Sequence, residues 1–99
     1  MLFRSIYAVE WEESERGWGC RPDGYSLHSS LEKAQKYIHD HYSTHTGAVP
    51  DEYSRAVGSP HLVEVSPSLY LAVMQKGNVR LWENSLQLFK TYDATNYLE

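Results

Sequence analysis

Three histidines, His39, His41 and His45, stand close together in the chain. On a helix, His41 and His45 share one face at a spacing that can hold a metal ion, with Cys20 or His28 as further ligands from elsewhere in the fold. No carboxylate or thiol stands at a matching second spacing, and imidazoles near a helix C-terminus are well solvated and interact favourably with its dipole. The expectation is that no metal is bound. Cys20 with a histidine would supply a nucleophile and its base, but no strand–turn–helix elbow or oxyanion loop surrounds it. A lone cysteine is more often a small core residue. Gly17-Trp18-Gly19 lacks the further glycine and the following helix of a phosphate-binding loop. No catalytic residue and no cofactor is expected.

The stronger signal is aromatic. Eight Tyr, three Trp and two Phe are more than so small a core can hide. Trp18, Tyr25, Tyr53, Trp82, Tyr92 and Tyr97 fall in or beside turns, loops and the tail. Tyr and Trp carry large contact area at low entropic cost and dominate binding hot spots. Arg21, Asp51, Glu52 and Arg55 lie close in sequence to these rings as polar anchors. The expected binding residues are Trp18, Arg21, Tyr25, Asp51, Tyr53 and Arg55, with the first turn and the long loop packed together. The competing reading makes several of these rings core or lid residues over a sheet.

The elements that position these groups follow from patterning. Ninety-nine residues make one domain, and 41% hydrophobic with 13% aromatic residues is enough to order it. No apolar run is long enough for a membrane-spanning helix. Met1-Leu2-Phe3-Arg4-Ser5 has no signal-peptide character, and a single cysteine fits a reducing cytoplasm. Phe3 to Trp11 reads as a strand, apolar on both faces, and Glu12 to Arg16 as a charged turn. Pro22-Asp23-Gly24 has the residue types of a turn. Ser29-Ser30-Leu31-Glu32 has the form of a capping box, and Leu31, Ala34, Ile38 and Tyr42 make an apolar stripe on the helix that follows. Gly47 to Pro60 reads as a long loop, His61 to Val65 as a strand, and Leu69 to Met74 with Asn78 to Trp82 as a hairpin around Gln75-Lys76-Gly77. Leu86 to Phe89 fits a strand or a helical turn equally.

The expected fold is α+β: an antiparallel sheet of about five to seven short strands covered by one amphipathic helix. One helix covers one face, so a homodimer would supply the second cover. Nine Lys and Arg against thirteen Asp and Glu give a net charge of -4, with no basic run to neutralise phosphates. A nucleic-acid partner is therefore disfavoured.

The segment from Gly17 to His28, with Val49-Pro50-Asp51-Glu52-Tyr53-Ser54 and His61 to Val65, resembles small phage and prophage accessory proteins. It departs from them at Ala56-Val57, where a Pro is expected. The resemblance implies a cytoplasmic protein that binds or inhibits a host protein. A pocket for a nucleotide or other small ligand, a small enzyme and a single-strand nucleic-acid binder are the alternatives.

Overall fold

Apolar residues at both odd and even positions from Ile6 to Trp11 require a strand covered on both faces. The computed structural model describes residues 4–15, 19–43 and 52–97 and gives that strand, β1 (Arg4–Glu15), a central place. It pairs antiparallel with β2 (Gly19–His28) on one side and β3 (Glu52–Val65) on the other. The short β4 (Asn78–Leu81) adds antiparallel to β2, giving the order β3-β1-β2-β4.

On one face, Ile6, Ala8, Tyr25, Leu27, Val63, Val65, Val79 and Leu81 form the main core. It is closed by α2 (Pro67–Lys76) and α3 (Leu86–Lys90), through Leu69, Ala72, Val73 and Phe89, and by Ala94 just before the 3-10 turn Thr95–Tyr97. On the other face, Val9 and Trp11 pack under α1 (Leu31–Ser43) against Ala34, with Tyr7, Tyr37, Ile38 and Ala56 around them.

The class is α+β with an open antiparallel sheet, but it has four strands and three helices among the described residues. The expectation of five to seven strands and a single helix is corrected. Leu69 to Met74 lies in α2, not in a hairpin strand. Ser66 is its N-cap, accepting the Leu69 N–H at 3.3 Å, Pro67 opens its first turn, and Gly77 closes it with φ 84° and an N–H to the Val73 carbonyl at 2.7 Å. The second cover of the sheet is thus the chain's own α2 and α3, which removes the reason given for a homodimer.

Three smaller expectations change. Glu12 to Glu15 continues β1 rather than turning. Residues 52–60 of the expected loop belong to β3, where Gly58 (φ +71°) sits in a bulge between the partners of Ala8 and Glu10. Pro22-Asp23-Gly24 lies inside β2, beside the register shift between Glu10 and Glu12. A proline and a bulge within an edge strand such as β3 blunt it against pairing with another chain. In α1 the cap is Ser30, whose Oγ accepts the Lys33 N–H at 3.2 Å, and not Ser29, whose N–H goes to the Gly77 carbonyl. The inward stripe is Ala34, Tyr37, Ile38 and His41, with Leu31 and Tyr42 exposed.

Candidate binding cleft

Strand pairing decides what lies beneath α1. Val9 faces Ser26, Ser26 faces Arg80, and His28 faces Asn78, so a polar row crosses the sheet on the α1 side. Trp11 is 1% exposed and donates its indole N–H to Ser26 Oγ at 2.7 Å. Ser26 Oγ lies 2.7 Å from His28 Nε2, and His28 Nδ1 lies 2.7 Å from Asn78 Oδ1. The directions are set by the donors. Trp11 can only donate, and an amide oxygen can only accept, so Nδ1 carries the proton and Nε2 accepts from the serine hydroxyl. The order Ser–His–Asn has the partners of a nucleophile relay. Ser26 and His28 are fully buried, however, and the hydroxyl is already held at both ends. The row serves as a satisfied internal network that ties β1, β2 and β4 together.

Burial holds His28 below its ordinary titration range, with the Asn78 bond opposing in part. The folded protein therefore keeps it neutral, while the unfolded chain takes up the proton near pH 6.5. Its contribution to stability is complete above that pH and is lost as the pH falls below it. Urea unfolding should show stability falling between pH 7 and 5, by at most about 1.4 kcal/mol per pH unit from this group. A His28→Gln variant should flatten that slope, and an unchanged slope would remove His28 as the cause.

Above Trp11 lies an open cleft of about 320 Å³, lined by Trp11, Tyr37, His41, Arg80 and Trp82. Tyr37 and His41 are one helical turn apart on α1 and meet the Trp11 ring edge-on, at 5.9 and 4.8 Å. Across the cleft, Trp82 follows β4 directly and is 65% exposed. The Arg80 guanidinium stacks on the Trp82 ring at 4.2 Å and lies 5.7 Å from the Trp11 centroid. Arg80 is fixed by Asp23 at 3.1 Å and by the Tyr25 and Leu81 carbonyls. Burial pulls its guanidinium below its ordinary value, while Asp23 and Tyr37 push it back up. The outer wall of the cleft is thus an exposed indole braced by a neutralised cation.

Of the residues expected to bind, Arg21, Tyr25 and Arg55 are among the described side chains. Tyr25 is 7% exposed and packs edge-on against Phe89 at 5.4 Å, with its hydroxyl toward Glu10. Burial first, and Glu10 second, raise the pKa of its phenol. It is a core residue, so Tyr25 is corrected from a surface anchor to a part of the core. Arg21 on β2 pairs with Glu13, at 3.0 Å, and Arg55 on β3 pairs with Glu12. The two arginines flank the acidic stretch of β1 from either side. Trp18 and Asp51, and the Tyr53 side chain, lie outside the described residues.

Of the metal candidates, His41 faces Trp11 and His45 lies outside the described residues. Among the described residues no three His, Cys, Asp or Glu side chains come together to hold a metal, and no helix is long and apolar enough to cross a membrane. Sequence reasoning named Trp82 among the surface aromatics but not as a site residue. It missed Trp11, Tyr37 and Arg80, whose roles arise from strand order. A second groove of about 410 Å³ runs between β3 and α3, past His61, Leu62, Glu64, Leu86 and Lys90, and carries no Trp, Tyr or Phe among the described residues.

Fold and site together define a small α+β domain with a preformed aromatic cleft on one face of its sheet. Family models, curated proteins and solved structures offer no match to the chain.

Proposed function

We propose that this chain is a non-enzymatic binding module and that the cleft between α1 and β4 is its recognition site, taking a small planar ligand. The observation that carries the reading is Trp82, a large indole left 65% exposed yet held in place by Arg80, opposite Tyr37 and His41. Ligand sites are concave, mostly apolar and furnished with few polar groups, and about 320 Å³ lies at the small end of their range. That volume suits a single ring system rather than a dinucleotide. A binding role, rather than catalysis, is supported by the burial of the Ser26–His28 pair away from the cleft opening.

The reading is tested by thermal shift of wild type and Trp82→Ala against nucleosides, aromatic acids and quaternary amines. A true ligand at about 100 times its Kd adds about 2.7 kcal/mol to the folded state. Trp82→Ala should unfold within about 1 kcal/mol of wild type, because it removes an exposed ring and one cation–π contact. It should also lose the ligand-induced shift. A variant that keeps the shift, or a panel that gives none, would overturn the assignment.

A host protein as partner, the expectation carried by the phage-type resemblance, is the second reading. It is favoured by the same exposed Trp82, since tryptophan at a rim braced by arginine has the composition of an interface hot spot.

A further inference from the structure

We infer that α1 is a proton-sensitive lid on the sheet: it stays seated while His28 is neutral, and uptake of one proton by that imidazole lifts it and takes the cleft apart. The lid itself is independent of what the cleft binds. Its use to hold and release a ligand rests on the reading of the cleft as the recognition site.

The hydrogen bonds beneath α1 leave no place for a second proton. His28 Nδ1–H donates to Asn78 Oδ1, and Nε2 accepts from the Ser26 hydroxyl, whose oxygen takes the Trp11 N–H on its other side. A proton on Nε2 would face the serine hydrogen. That hydroxyl must then turn away, and Ser26 Oγ has no further partner among the described residues. The new charge meets no counter-ion either. Tyr7, paired with His28 from β1, and Tyr37, 4.9 Å away on α1, carry phenols. On β4 the groups of this face are the Asn78 amide and the Arg80 guanidinium, and Lys33 of α1 reaches Gly77, beside Asn78. Both charged neighbours are cations, and Arg80 is already bound to Asp23. His41, the other imidazole beneath α1, meets Trp11. Burial therefore works against an imidazolium, with only the Asn78 bond opposing it.

Water is the remaining source of relief, and on this face α1 covers His28 with the Tyr37 ring. The cover is lightly held. Among the described side chains of α1 only Ala34 is buried, with Tyr37, Ile38 and His41 half-buried, whereas α2 buries Leu69, Ala72 and Val73. Elements with few buried apolar contacts are the first to open. Tyr37 and His41, which line the cleft, leave with the helix. Each opening hydrates the imidazole and lets it take a proton near pH 6.5, so acid favours the open form and neutral pH the closed one.

The test is amide hydrogen exchange of the full chain, followed by NMR and corrected for intrinsic rates. At pH 7 the α1 amides should exchange faster than those of α2 and respond weakly to low urea, which marks a local opening. Their protection should hold steady above pH 7 and fall below pH 6.5 by up to about tenfold per pH unit. His28→Gln should remove that fall, whereas His41→Gln, which alters the other imidazole under α1, should keep it. If α1 amides exchange only together with those of α2, at the same urea dependence, α1 leaves with the whole fold and the lid is overturned. Protection that is independent of pH, or a fall that disappears in His41→Gln, overturns it as well. Should His28→Gln not fold, the wild-type His28 ring resonances decide, since a titration midpoint at or above pH 6.5 in the folded protein removes the driving force. Exchange is read without ligand, so its failure leaves the recognition site standing, and failure of the thermal-shift panel leaves the lid standing.

Discussion

Gly24→Ala is expected to destabilise the protein by on the order of 4 kcal/mol and to open the cleft with it. Gly24 has φ +80°, and a Cβ built there would lie 2.1 Å from the Leu81 carbonyl oxygen and 2.8 Å from Trp82 Cα. The left-handed backbone alone costs about 1–2 kcal/mol for a residue with a side chain. The remainder comes from pushing backbone apart where β2 and β4 pair and where the Gly24 N–H donates to Asn84 Oδ1 at 2.6 Å. Gly19 provides the control, because it has φ +83° and a methyl group added there would meet nothing within 4 Å among the described residues. Gly19→Ala should therefore carry the backbone cost only. Urea unfolding of the two variants side by side measures the difference, and equal losses would show that the close approach at Leu81 is not what fixes β4.

Trp11→Ala should cost about 3–5 kcal/mol, the range for truncating a buried aromatic. The ring is the floor of the cleft, the seat of Tyr37 and His41 from α1, and the donor to Ser26. Its loss leaves a cavity under α1, so helical signal should melt earlier than the sheet. Trp11→Phe separates the terms. It keeps most of the volume but removes the N–H, leaving Ser26 Oγ with only the bond it donates to His28, at about 1–2 kcal/mol. If Trp11→Ala is no more costly than Trp11→Phe, α1 is not held by this ring.

The residues that were legible and those that were not differ in a physical way. Ile6 to Val9 announced a strand buried on both faces because an unbroken apolar run leaves neither face suited to water. Ala34 and Ile38 announced a helix over a sheet by their spacing along one helical face, although the exposed Leu31 and Tyr42 shifted the expected stripe. Tyr70 to Met74 is an apolar run without a period, which fits strand and buried helix alike, and the Ser66-Pro67 cap that decides the matter is a weak local signal. Reading that run as a hairpin removed one cover from the sheet and created the need for a second subunit. Tyr25 looked like a surface ring because a Pro-Asp-Gly sequence precedes it. In β2 that sequence is a kink at a register shift, and the strand resumes inward.

Composition and periodicity were enough to determine an α+β domain, a first strand apolar on both faces, the first helix and an excess of aromatic rings. Only the tertiary structure decided which rings stay at the surface and which neighbours they have. Trp11, Tyr37 and Trp82 come from three distant parts of the chain and meet because β4 pairs with β2 beneath α1. A sequence pattern records that a face will be buried, whereas the identity of what buries it depends on strand order, which no local spacing encodes.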